Sequence, residues 1–245
     1  MKLAALFNVW DGDELLPLSI ELIYPFVDNI IILMQEVSNY GEKYSPSLDF
    51  TKNLDKIMIV DFTPTNERAS RNETIKRQIG IEEAHRLGCT HFFSIDCDEM
   101  YFDFEELKKE YIEKGHEGSF CEMFTYYKLP SLRFENKDNY FVPFIHKLNK
   151  NTLTGFKKYP VYVDPTRGIN CKDVILLSKP MHHYSWVRKN IERKLRNSSA
   201  RQNLDMKRVL IDYANAKEGN FIPNFNQKLI KFTNEYTERL EKLLF

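Results

Sequence analysis

The stretch HFFSIDCDEM, residues 91–100, runs a largely apolar segment (Phe92, Phe93, Ser94, Ile95) straight into Asp96-Cys97-Asp98-Glu99. Carboxylates packed this closely repel, and taking them out of water is costly unless something compensates. A strand that ends in a solvated acidic turn needs no compensation. A divalent cation held at the mouth of a sheet by hard oxygen ligands supplies it. Removing one member of a repelling cluster relieves repulsion, so Asp98→Ala is expected to leave the fold intact. A second chemistry-bearing stretch is KPMHHYSWVRK, residues 179–189. Imidazole is a common metal ligand, and adjacent residues of an extended chain face opposite ways, so no more than one of His182 and His183 can face the acids. His183 is the expected one, because Tyr184 and Trp186 then share the face of His182 and pack inward with it.

These residues need a scaffold. KLAALFNV, DNIIILMQE, DKIMIVDF and THFFSID read as buried strands. Between the first two lies DELLPLSIELIYPFV, with Leu15, Leu18, Leu22 and Phe26 at helical spacing. Between the last two, the loop opening TPTNERAS leads into a helix with Ile75, Ile79 and Ala84 inward and Gly88 as its stop. Strands with unbroken rather than alternating apolar runs, separated by helices, form a parallel sheet covered on both faces. Ligands of such sheets bind beyond the carboxyl ends of the strands, where Asp96 and Asp98 stand. After residue 100, FDFEELKKEYIEKG is a helix, and GSFCEMFTYYKL, YFVPFIHKLN and VILLSKPMHHYSWV read as antiparallel additions. From Val187 to about Ala216 the chain is helical and basic. The last stretch repeats Leu229, Phe232, Tyr236, Leu240 and Leu243/Leu244 every three or four positions and is expected to dock on the core. The expected division is residues 1–186 as the catalytic body and 187–245 as a helical extension packed on it.

Composition sets outer limits. With 245 residues, 42% hydrophobic and 29% charged, a packed globular core is expected. Lys+Arg and Asp+Glu both number 35, which argues against a wholly basic nucleic-acid binder. None of the four cysteines forms a CxxC pair, so a zinc knuckle is not expected. The opening MKLAALFNVWDGDELL is too short in its apolar part for a signal peptide, and no apolar run reaches the ~18 residues of a membrane span. A soluble, cytoplasmic protein with free thiols is the expectation.

The strand–acidic loop–helix NVWDGDELLPLSIELI, the strand IIILMQE ending in an acid, and FSIDCDE together resemble the nucleotide-sugar glycosyltransferases of the GT-A fold, in particular the family 2-like group. The likeness covers roughly residues 1–100, and the later half follows the general plan. It implies an α/β fold, a Rossmann-like mixed, mostly parallel sheet flanked by helices, and a hexosyltransferase-like activity on a nucleoside-diphosphate sugar. A Mn²⁺ or Mg²⁺ ion neutralises the leaving diphosphate in such enzymes. Carried over, Asp98 is the primary metal ligand and Asp96 a ribose contact or second ligand. His183 or His182 completes the metal site. Asn8, Asp11, Asp13 and Glu36 stand where nucleotide contacts fall, although QE replaces the paired aspartates of many members. Arg71 and Arg77 are expected against the base or diphosphate, Arg71 foremost because it opens the helix. Arg188 is expected on the diphosphate and Trp186 on a sugar. An inverting enzyme also needs a carboxylate base, for which Glu122, Asp164 and Asp173 are the candidates. A retaining one would use the same metal motif.

Between Val187 and Arg208 eight Lys/Arg stand against Glu192 and Asp205. Arg193 and Arg196 share a face that is either a solvated surface or one suited to phosphate, whether of the donor diphosphate or of a phosphate-bearing acceptor, nucleic acid included, as in phage-type DNA glucosyltransferases. Two other functions share these features. A sugar-phosphate nucleotidyltransferase also uses an α/β fold and acidic metal ligands, but carries an early Gly-rich phosphate loop that NVWDGDELLP lacks. A binding module without catalysis would keep the fold alone.

Overall fold

The computed structural model describes residues 1–198, 201 and 204–245. β1 (Leu3–Val9), β2 (Asn29–Met34), β3 (Ile57–Asp61) and β4 (His91–Asp96) pair in parallel in the order β4-β1-β2-β3. β6 (Gly118–Cys121), β9 (Val142–Lys147) and β10 (Val174–Leu176) extend this into a seven-stranded sheet beyond β4. β9 runs antiparallel to β4 and β6, and β10 parallel to β6. The sheet is therefore mixed and mostly parallel, as expected. Alternate residues of its centre are buried on both faces. Ala5, Phe7, Ile30, Ile32, Phe93 and Ile95 meet α1 (Leu16–Ile23) and α3 (Phe104–Lys114) on one side. Ala4, Leu6, Ile31, Leu33 and Phe92 meet α2 (Ala69–Arg86) on the other. This two-sided burial is why the strands read as continuous apolar runs.

Pro17 stands in the first turn of α1, where its missing N–H costs nothing, and Tyr24–Phe26 closes the segment as a 3₁₀ turn. α2 turns a different face inward from the one its isoleucines suggest. Ile75 and Ile79 are half-buried, while Lys76, Arg77, Gly80, Ile81 and Ala84 are buried. Gly80 permits that face, since a Cβ there would lie 3.1 Å from Leu33 Cδ2 and 3.4 Å from Leu6 Cδ1.

A second sheet has six strands: β5 (Glu99–Met100), β7 (Met123–Tyr127), β8 (Leu132–Phe134), β11 (Met181–Trp186), β12 (Phe221–Ile222) and β13 (Gln227–Lys231). Their order is β12-β13-β8-β7-β11-β5. The chain crosses from the first sheet to the second within the acidic tetrapeptide: β4 ends at Asp96 and β5 begins at Glu99.

The C-terminal segment differs from the expected helical extension. α4 (Ile191–Asn197), α5 (Met206–Asn215) and α6 (Thr237–Leu244) are helical, but β12 and β13 lie between α5 and α6. Leu229 belongs to β13 and pairs in register with Phe134 of β8. Short apolar runs fit either period, and the open edge of β8 offers backbone groups that need partners. The expected docking is seen at α6, where Leu240 and Leu244 pack with Leu15, Leu18 and Met100.

Candidate active site

A cleft of about 460 Å³ opens beyond the carboxyl ends of β1, β2 and β4. Asn8, Gln35 and Asp96 line it from those strands, Lys76 and Arg77 from α2, Thr125, His183 and Trp186 from the second sheet, and Lys194 and Asn197 from α4. All three members of the acidic cluster meet cations inside the protein. Asp96 takes Arg77 Nη2 at 3.0 and 3.1 Å and Arg167 Nη2 at 2.6 Å. Glu99 takes the same Arg167 Nη2 at 2.6 Å and accepts the Asp96 amide at 3.0 Å. Asp98 pairs with Arg188, with Lys194 Nζ at 3.5 Å, and faces His183 Nε2 at 3.7 Å. Burial opposes charge at each carboxylate. At Asp96 the guanidiniums of Arg167 and Arg77 outweigh it, and at Asp98 the cations of Arg188 and Lys194 do, so both carboxyls are held below the usual range. At Glu99 burial wins and the carboxyl is raised.

One end of the cleft is built by β1, β2 and α2. With its amide oxygen toward Arg77, Asn8 accepts from Nη1 at 2.8 Å. Gln35 accepts from Lys76 Nζ at 3.0 Å. That neutral amide is the hydrogen-bond acceptor of an ammonium only 5% exposed, and burial brings Lys76 down to about 8. A buried cation matched to a neutral partner is poised for an anion.

The sequence expectations fare unevenly. Asn8, Asp11, Arg77, Asp96, Asp98, Asp164, His183, Trp186 and Arg188 line the cleft. Arg71 does not: it is exposed one position before the buried face of α2 begins. Glu36 is exposed beside a smaller cavity with Met34 and Asp61, because the strand alternation turns its neighbour Gln35 inward. Asp13 is a loop anchor that accepts from Tyr44 Oη at 2.6 Å and the Ser47 amide at 2.9 Å. His182 points away from the acids into an aromatic cluster, with Nδ1 2.9 Å from Tyr126 Oη and its ring 4.7 Å from that of Phe102. Tyr184 shares that side, stacked on Tyr126 at 4.2 Å. Trp186 packs elsewhere, at 4.9 Å from Phe225.

Two of the three proposed bases lie outside the cleft. Glu122 pairs with Lys137, and Asp173 pairs with His116 at 2.6 Å on the surface. Asp164 lines the cleft, but its Oδ1 is committed to the Thr166 amide and hydroxyl at 2.7 and 2.6 Å. Arg193 and Arg196 each meet a carboxylate of this chain. Arg193 pairs with Asp11 at 2.9 Å and covers the Tyr44 ring at 3.8 Å, and Arg196 pairs with Glu42 at 3.1 Å.

Sequence reading missed Gln35, Arg167, Lys194 and Asp138. Arg167 follows the candidate base Asp164 by three residues, and a lone arginine there carries no periodic signal. Asp138 also lines the cleft. Its Oδ2 accepts from Thr125 Oγ1 at 2.8 Å, and burial raises its carboxyl against the pull of Thr125 and His183.

Two donors of the cleft suit a divalent ion. Asp98 Oδ1 and His183 Nε2 stand 3.7 Å apart, a spacing that two ligands of one ion can take with metal–ligand bonds of about 2.1 Å. Asp98 Oδ2 is left to Arg188 and Lys194. Asp96, committed to two arginines, is not a third ligand. The pair fits an ion whose remaining ligands come from a phosphate and water. Asp11, Asp13 and Glu14 also lie close enough together to share an ion, but Arg193, Tyr44 with Ser47, and the Lys189 amide already occupy them.

No helix among the described residues is long and apolar enough to cross a membrane, and all four cysteines are free and buried.

No protein-family model and no curated protein matches the chain. Among solved structures it is similar to residues 1–349 of S. aureus TarS, at 10% identity and a TM-score of 0.45 over 88% of this chain and 71% of that one. The same TarS segment in complex with UDP-GlcNAc matches at 9% identity and a TM-score of 0.44, over 88% and 72%. Mannose-1-phosphate geranyltransferase from Thermus thermophilus matches at 12% identity and a TM-score of 0.34, over 61% and 51%.

Proposed function

We propose that this chain is a glycosyltransferase that takes a sugar from a nucleoside-diphosphate donor and passes it to an acceptor hydroxyl. The observation that supports this most is the meeting of Lys76, Arg77, Arg188 and Lys194 with the half-buried Asp96 and the buried Asp98 at the carboxyl ends of a parallel sheet. Such an arrangement suits a ligand that carries a diphosphate at one end and hydroxyls at the other. Lys76, Arg188 and Lys194 would hold the diphosphate oxygens, and Asp96, fixed by Arg77 and Arg167, would accept from the ribose. Asp98 and His183 would hold a Mn²⁺ or Mg²⁺ ion, which would neutralise charge on the leaving diphosphate.

Calorimetric titration of UDP, GDP and CMP, each with and without Mn²⁺, tests the binding, and diphosphate release from UDP-, GDP- and CMP-sugars tests the chemistry. Metal-strengthened binding and release of the nucleoside diphosphate are expected. Release of pyrophosphate from a nucleoside triphosphate with a sugar phosphate would make the chain a nucleotidyltransferase instead. Binding with no turnover would make it a binding module.

A further inference from the structure

This inference rests on the glycosyltransferase reading above and goes on to the acceptor. We propose that the end of the cleft built by the second sheet is the acceptor site, that it takes the hydroxyl of an uncharged sugar, and that Asp138 receives that hydroxyl's proton.

The placement follows from strand register. Glu99 pairs with His183, and His183 pairs with Thr125, across the consecutive strands β5, β11 and β7. Paired residues of adjacent strands stand about 4.8 Å apart on one face. This row therefore carries the cleft from the acidic crossing to Thr125 over about 10 Å. Thr125 holds the Asp138 carboxylate at 2.8 Å, so the carboxylate sits at the end of the row opposite Glu99, one strand beyond His183, whose Nε2 faces Asp98. A donor sugar with its diphosphate toward Asp98 would turn its reacting carbon toward the Asp138 side, where the acceptor would stand. The half-buried, raised carboxyl of Asp138 suits a proton acceptor better than a fully solvated one.

The surroundings favour a neutral sugar. Phe134, Tyr140, Trp186 and Phe225 line this end, and flat apolar rings match the C–H faces of a pyranose. The lysines and arginines of the cleft belong to α2, α4 and the segment just after β11. Asp138 and Asp164 would repel a phosphate here. The basic helix that pointed toward a polyanion spends Arg193 and Arg196 on Asp11 and Glu42.

In the step proposed, the acceptor oxygen attacks the anomeric carbon and its proton passes to Asp138. The bond from that carbon to the diphosphate oxygen breaks, and its electron pair leaves with the nucleoside diphosphate. A single displacement inverts the anomeric centre.

The test compares wild type with Asp138→Asn, using whichever nucleotide sugar the wild type turns over. The acceptor probes are neutral p-nitrophenyl glycosides, short duplex DNA, and thiophenol, which ionises without help near neutral pH. Stimulation of diphosphate release by a glycoside and not by DNA is expected, with inversion seen by NMR of the product. Asp138→Asn is expected to keep donor affinity, to lose at least about 100-fold of kcat toward the glycoside, and to keep most of its rate toward thiophenol. Stimulation by DNA alone overturns the acceptor assignment. Retained activity toward the glycoside, equal loss toward thiophenol, or retention of configuration overturns the role of Asp138 while the glycosyltransferase reading stands. A wild type that neither binds nor turns over any nucleotide sugar removes that reading and this one with it.

Discussion

Asp98 and Arg188 bury their side chains against each other, at 4% and 2% exposure. The view of the acidic cluster as mutually repelling, with one member dispensable, does not hold at this residue. Asp98→Ala leaves a buried guanidinium without its counter-ion, and loss of about 3–5 kcal/mol of stability is expected from urea unfolding. Arg188→Met combined with Asp98→Ala is expected to recover much of that loss, because no buried charge then stands alone. Gly12 is part of the same fit. It adopts φ +91°, and a Cβ there would lie 1.9 Å from Arg188 Nη1. Gly12→Ala is therefore expected to push Arg188 off Asp98 and to lower both stability and nucleoside-diphosphate affinity, read by unfolding and by calorimetry.

At the scale of elements, α4 is tied to the loop after β2. Arg193 reaches Asp11 and Tyr44, while Arg196 and Asn197 reach Glu42 at 3.1 and 2.8 Å. Lys194 and Asn197 of the same helix line the cleft, so the ties set where two cleft residues stand. The Arg196–Glu42 pair is exposed, at 49% and 32%, and contributes about 0–1 kcal/mol. Asp11 is 6% exposed beside Arg193, so the double variant Arg193→Ala, Arg196→Ala leaves a buried carboxylate unpaired and is expected to lower stability by about 1–3 kcal/mol. Its α4 amides should exchange faster in hydrogen-exchange measurements, and donor KM should rise several-fold with acceptor KM unchanged. A rise in acceptor KM alone would restore the reading of α4 as an acceptor surface. β13 answers to a different force. Leu229 is fully buried with Tyr127, Phe134 and Val209, and Leu229→Ala is expected to cost about 2–5 kcal/mol in urea unfolding.

Over the whole molecule, buried histidines tie stability to pH. Burial lowers His146 and His182 from 6.5 to about 4. His146 is held at 3.0 Å by the Phe144 carbonyl and at 3.0 Å by Tyr159 Oη. Above pH 6.5 both imidazoles are neutral whether the chain is folded or not. Between about 6.5 and 4 the unfolded chain takes up protons that the folded one refuses, so stability falls as pH falls through that window. The urea midpoint should drop across it, and His146→Gln should flatten the slope. Local chemistry written in the sequence determined the parallel half of the fold: unbroken apolar runs mean two-sided burial, and Asp96 and Asp98 close such a run where a sheet of that kind binds ligands. It also placed His183 and His182 on opposite sides, since alternation is a property of one strand. The partners of the acids depended on the tertiary structure. Arg167, Arg188 and Lys194 reach Asp96 and Asp98 from 71 to 96 residues away, and Asp138 becomes a cleft residue because β7 lies beside β11. The same holds for β13, whose sequence fits a helix as well as a strand until the open edge of β8 supplies hydrogen-bond partners. Periodicity records which side of its own element a residue occupies, whereas ion pairs and sheet edges join elements distant in sequence and leave no period to read.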